Sequence, residues 1–276
     1  MARFLTEFEA LVRDDATIDL ASAALAFARE EYSELRPGAY LARLDGIAAD
    51  AAGKARRSAS PLEVVEDLSA FLHGELGFRG NIEAYGDPRN SFLNEVIDRK
   101  LGLPISLSTV YVEVARRMGL PIVGVGLPGH FIAKYDGGVS EILFDPFEGG
   151  RVLTRQDCQA RLDALYGGAL RLQDEHLAPT PPRQVLARML RNLKGVYQAS
   201  MRLDQALWVC DYLVATLPND PFERRDRGLV RFRLGDWDGS VDDLTRSLQE
   251  WPAGVPGREV VEEHLADIRR GRRRMN

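Results

Sequence analysis

Only two cysteines, Cys158 and Cys210, occur in 276 residues, and they form no C-x-x-C pair. Neither a disulfide framework nor a cysteine-built zinc site is indicated, and a reducing cytoplasm is the expected compartment. The four histidines (His73, His130, His176 and His264) stand in separate segments without an i, i+4 partner or a carboxylate cluster, so no metal is expected. No run approaches the roughly 20 apolar residues of a membrane-spanning helix, and no membrane association is expected. The opening MARFLTEFEALVRDD reads as an acidic amphipathic helix rather than a secretory signal. A formal charge of -5 provides no broad basic field, which argues against nucleic acid as a partner. The one basic cluster, Arg269, Arg270, Arg272, Arg273 and Arg274, has the composition of a solvated tail. Gly124-Val125-Gly126 lacks the third glycine and the following helix of a phosphate cradle, and no cofactor is expected.

What is present is periodic. Apolar residues recur at helical spacing from Phe4 to about Gly74 and predict four helices, with Asp14 or Asp15 and Ser60 at N-cap positions and Pro61 at a first helical position. The polar stretch from Ala52 to Ser60 reads as a loop. Asn90 opens a short helix ending near Arg99, and a longer one runs from about Ile105 to Met118. Beyond Gly119-Leu120-Pro121 the pattern becomes β, with strands at Ile122 to Val125, His130 to Tyr135 and Glu141 to Phe144. A further helix covers Arg155 to Tyr166. Ala178-Pro179-Thr180-Pro181-Pro182 cannot continue a helix and predicts a stiff extended connection, placing a boundary between a first domain, 1–178, and a second, 183–276.

The second region repeats with a 34-residue period: Pro218 and Pro252, Ala206 and Ser240, Leu217 and Trp251 are each separated by that interval. This is the tetratricopeptide period, with Leu234-Gly235-Asp236-Trp237 as the turn inside the second unit and Glu259 to Arg270 as a capping helix. Lys194 and Arg231 depart from it, standing where a small residue and an aromatic are usual.

Four separated motifs occur in order: Asn90-Ser91-Phe92-Leu93, Gly102-Leu103-Pro104-Ile105-Ser106-Leu107-Ser108, Leu127-Pro128-Gly129-His130-Phe131 and Phe144-Asp145-Pro146-Phe147. Together they resemble the SirB1 family, whose first domain is similar to the transglutaminase core and is often followed by tetratricopeptide repeats. The resemblance implies an α+β transglutaminase-like (papain-like) domain with a helical N-terminal part and a small antiparallel sheet, then an all-α repeat domain. It also implies a cysteine at the start of a buried helix, a histidine on the next strand and an aspartate on the one after. A thiolate needs a base, and the base needs a carboxylate to hold its tautomer. His130 and Asp145, 15 residues apart (145 − 130), match the second and third members. The first is missing, because Pro104 falls where the cysteine belongs.

The nearest hydroxyls are Ser106, two positions further on, and Ser108. Two functional expectations follow. One is a transglutaminase-like protein without its cysteine that binds protein or peptide through the old groove and the helical repeats, with the whole chain as a regulatory scaffold in its broadest form. The other is a serine-dependent hydrolase or acyltransferase acting on amide or ester bonds, with Ser106 attacking, His130 as base and then acid, and Asp145 orienting His130. Asn90, Ser91 and Ser108 are the candidate binding residues, with helix capping as the alternative role for each and for Ser106.

Overall fold

The computed structural model describes residues 2–55 and 60–275, without side chains at 55 and 271–275. Arg272, Arg273 and Arg274 therefore have no described side chains, and the end of the expected loop at 56–59 lies outside the described residues.

Four helices open the chain: α1 (Leu5–Leu11), α2 (Leu20–Ala28), α3 (Pro37–Ala55) and α4 (Pro61–Ser69). Asp14 caps a 3-10 turn, Asp15–Thr17, whereas Asp19 caps α2 by accepting the Ser22 N–H. Ser60 and Glu63 form a capping box around Pro61 at the start of α4, so three orphan features of a helix N-terminus are resolved within four residues. α3 reaches Ala55, further than the sequence reading placed it, and α4 runs on as a π-helical turn, Ala70–Glu75.

The centre of the fold is α6 (Pro104–Arg117) against a four-stranded antiparallel meander, β3 (Ile122–Val125), β4 (Ile132–Asp136), β5 (Glu141–Asp145) and β6 (Arg151–Leu153). Before it come α5 (Leu93–Arg99) and two two-residue strands, β1 (Arg79–Gly80) and β2 (Leu101–Gly102), paired in parallel. α7 (Arg155–Tyr166) opens on a Thr154–Asp157 capping box. The period-2 alternation of the strands divides the sheet: Ala133 and Phe144 join the core containing α6, while Ile132, Leu143 and Leu153 pack with Cys158 and Leu162 of α7. The sheet is thus covered on both faces.

Five helices follow: α8 (Pro182–Ala199), α9 (Leu203–Thr216), α10 (Pro221–Arg233), α11 (Trp237–Gln249) and α12 (Arg258–Met275). Gly235, at φ +83°, makes the expected turn between α10 and α11. Ala206 and Ser240 are fully buried, and a Cβ on Gly228 would lie 2.9 Å from Leu244, so small residues set the helix spacing. The two departures from the repeat pattern are ionic. Lys194 bridges Glu223 and Asp226 at 2.6 Å each, and Arg231 lies 3.1 Å from Asp243.

The proline connection is extended, as its composition requires, and is docked: Thr180 N–H donates to the Gly124 carbonyl at 2.8 Å, extending the open edge of β3. One apolar core runs from Phe8 of α1 through α6 and the sheet to Leu213 of α9 and Val230 of α10. Phe8 packs on Tyr212 at 4.7 Å between ring centroids, and Tyr212 donates to Glu30. The helices on either side of the proline segment share that core.

Candidate functional site

Asp145 ends β5, and His130 lies in the loop two residues before β4, which begins at Ile132 rather than at His130 itself, so adjacent antiparallel strands bring together residues 15 positions apart. His130 Nε2 lies 2.7 Å from Asp145 Oδ2. A carboxylate accepts only, so this nitrogen is the donor in the neutral ring, leaving Nδ1 as the basic nitrogen, with no partner among the described residues. Asp145 is fully buried and also accepts from Arg161 of α7 at 2.9 Å and from the Phe147 N–H at 2.9 Å. Burial pushes its carboxyl up. The hydrogen bond and charge of His130, the Arg161 guanidinium and the Phe147 N–H together outweigh burial, and the net position is below the ordinary carboxylate range. Beneath the pair lies Tyr111 of α6, whose phenol burial drives upward, within reach of the Asp145 charge and the Ser69 hydroxyl.

The His130 side chain retains 12% of its exposure and opens on a 480 Å³ cleft whose walls include Gly129, Leu153, Ala160, Arg161 and Leu165. Arg188 of α8 holds the loop from behind, donating to the His130 carbonyl at 2.6 Å and lying 5.3 Å over the Phe131 ring. On another side Phe147 meets His130 edge-on, with ring centroids 6.3 Å apart. Its ring also packs so closely on Gly80 that a Cβ there would lie 2.6 Å away.

Ser106, the candidate nucleophile, is hydrogen-bonded to backbone groups. Its hydroxyl donates to the Asn90 carbonyl at 2.6 Å and accepts the Leu103 N–H at 2.9 Å, and the residue is 0% exposed. The hydroxyl is spent on the helix start and on a carbonyl 16 residues earlier, and it makes no hydrogen bond to His130. Pro104 begins α6, where its missing N–H costs nothing. Asn90 does not open α5 but lies in a 3-10 turn, Pro88–Ser91, capped by Asp87. Its amide donates to the Ala84 carbonyl at 2.7 Å and accepts from Asn81 at 2.9 Å, tying down the loop before it. Asn90, Ser91 and Ser108 are all buried, so none is presented to an occupant of the cleft. The Ser91 and Ser108 hydroxyls have no partner among the described residues.

Arg161 and Arg188 complete the site without being legible as part of it, whereas Phe147 closes the fourth motif. Arg161 had one usable signal: it shares a helix face with Cys158 and Leu162 in a segment whose start was predictable. Cys158 itself lies within reach of the Arg161 and Asp145 charges, but burial pushes its thiol up, the opposite of activation. Burial likewise pushes Cys210 up to about 12. Among the described residues no cluster of three or more metal-ligating side chains occurs.

Comparison with known proteins agrees with this architecture. A transglutaminase-like superfamily domain matches residues 38–191, and a tetratricopeptide repeat domain matches residues 193–275. A UPF0162 protein of Xylella fastidiosa is 38% identical over 259 residues, covering 92% of each chain. Protein SirB1 of Salmonella typhimurium is 28% identical over 75% of this chain and 76% of its own, and F-box only protein 21 of Pongo abelii is 27% identical over 71% and 32% respectively. No solved structure matches the chain significantly. The chain belongs to the SirB1 family of the transglutaminase-like superfamily.

Proposed function

For this member of the SirB1 family we propose a binding role: it holds an extended protein or peptide segment in the cleft beside His130 and does no acyl transfer. The observation that carries the reading is the state of Ser106. A nucleophile must present a free hydroxyl to its base, whereas this one is buried and bonded at both its proton and its lone pair to backbone groups. The cysteine position is proline. Three exposed apolar side chains, Tyr85, Leu165 and Tyr166, lie around the Gly129-His130 loop: Tyr85 contacts Phe147, while Leu165 and Tyr166 approach Gly129. Such a rim suits the alternate side chains of an extended segment. The two regions, 1–178 and 183–276, act in this reading as one body, because Arg188 of the repeat region grips the His130 loop.

The alternative, a serine-dependent hydrolase using Ser106, His130 and Asp145, is favoured by the His130–Asp145 geometry and requires Ser106 to leave the Asn90 carbonyl. The binding reading is tested by selecting peptides from a displayed random library on the immobilised full chain. Leu165→Asp should weaken a selected peptide by roughly tenfold, the scale of losing one buried apolar contact, while Leu62→Asp on exposed α4 leaves it unchanged. Peptides indifferent to Leu165, or none selected, would overturn it.

A further inference from the structure

Behind the His130 loop lies a second cavity of 410 Å³, enclosed by α2, α6, β3 and the proline connection. Its walls are Leu20, Val112, Val123, Phe131 and Val185, and Pro181 and Pro182 close one side. The edge of the Phe131 ring meets Gly124, where a Cβ would be 2.8 Å from it, so glycine at 124 allows the ring to form that wall. The size and lining are those of small-molecule sites.

The polar groups define the occupant. Asp19 accepts the Ser22 N–H at 2.8 Å and Arg116 at 2.9 Å. Glu113 accepts Arg116 at 2.9 Å and Arg117 at 2.5 Å. The two carboxylates at the mouth are each paired with a guanidinium, so the mouth carries no net charge to compensate an ion taken into the apolar interior. Away from this charged mouth, where Arg116 turns its remaining N–H groups to a half-exposed position, the Thr180 hydroxyl accepts the Gly126 N–H at 2.7 Å, and its own proton has no acceptor among the described residues.

The structure assigns this cavity to a neutral small molecule with an aromatic or branched aliphatic body and one hydrogen-bond acceptor, such as a ketone, ester or amide carbonyl, taken by Thr180. The site is separate from the His130 cleft, and neither the apolar walls nor the Thr180 donor serves that cleft.

The test is fluorine NMR titration of the full chain with para-fluoroacetophenone and with para-fluoroethylbenzene, which has the same body and no acceptor. Both should bind, the ketone more tightly by roughly fivefold, the worth of one hydrogen bond. Thr180→Val should abolish that preference, and Val112→Phe should weaken both probes by roughly tenfold by filling the space. If Val112→Phe does not fold, Val123→Phe fills the cavity from the opposite wall. No binding at millimolar probe, equal affinity of wild type for the two probes, or unchanged binding in a folded filled variant would each overturn the assignment.

Discussion

Replacing Ser106 by alanine separates a structural hydroxyl from a catalytic one. The hydroxyl makes two short hydrogen bonds, 2.6 Å to the Asn90 carbonyl and 2.9 Å from the Leu103 N–H, in a fully buried position. Alanine leaves that N–H and that carbonyl with only the 3.4 Å contact between them. Two intramolecular bonds at about 1 kcal/mol each give a loss of about 2 kcal/mol, the long residual contact offsetting part of the desolvation that remains. For a chain of this size such a loss lowers Tm by about 4–8 °C. Ser108→Ala is the matched control. Its hydroxyl is equally buried and has no partner among the described residues, so removing it should be neutral or slightly stabilising. The assay is urea unfolding followed by circular dichroism, with Tm from calorimetry. Ser106→Ala as stable as wild type, or Ser108→Ala the less stable of the two, would refute the reasoning that Ser106 ties α6 to the Asn90 turn.

Other outcomes follow from the same geometry. Asp145 has a folded pKa below its unfolded value of about 3.9, so its contribution to stability is present above that value and is lost as pH falls through it toward the folded pKa. Asp145→Asn should flatten the acid limb of a stability profile measured between neutral pH and about pH 3, and at neutral pH should cost about 3 kcal/mol by removing the buried charge that Arg161 and His130 share, with Arg161 keeping only Glu148; an unaltered acid limb would contradict the assignment. Lys194→Ala should destabilise by about 3 kcal/mol in urea, because Glu223, buried between α8 and α10, loses one of its two cations. Gly228→Ala should lower Tm despite its higher helix propensity, since the new methyl lies 2.9 Å from Leu244, and overpacking of about 1–3 kcal/mol exceeds the propensity gain of about 1.

How much of the molecule could be read in its sequence depended on the range of the forces involved. α7, β3 and the turn at Gly235 are set by local patterning, and their positions follow from caps, alternation and a glycine that must adopt positive φ. The His130–Asp145 pair was legible because β4, which follows His130, and β5, which ends on Asp145, are sequence neighbours. β1 and β2 were not: each has two residues, neither is rich in β-branched side chains, and their parallel pairing joins segments 22 residues apart (101 − 79). For Ser106 the sequence left helix cap and nucleophile both open, and its bond to the Asn90 carbonyl is a tertiary contact that neither helix announces. The π-helical continuation of α4 has no distinct sequence period. Lys194 and Arg231 looked like flaws in the repeat and proved to be charged groups with partners on other helices, Lys194 two helices on and Arg231 on the next.

The central claim, that the His130–Asp145 pair serves no activated nucleophile, is tested most directly by treating the folded, full-length protein with a broad serine-directed phosphonate and analysing adducts by intact-mass spectrometry. The account predicts no adduct. An adduct that disappears in both Ser106→Ala and His130→Ala, with both variants folded, would establish an activated serine and contradict it.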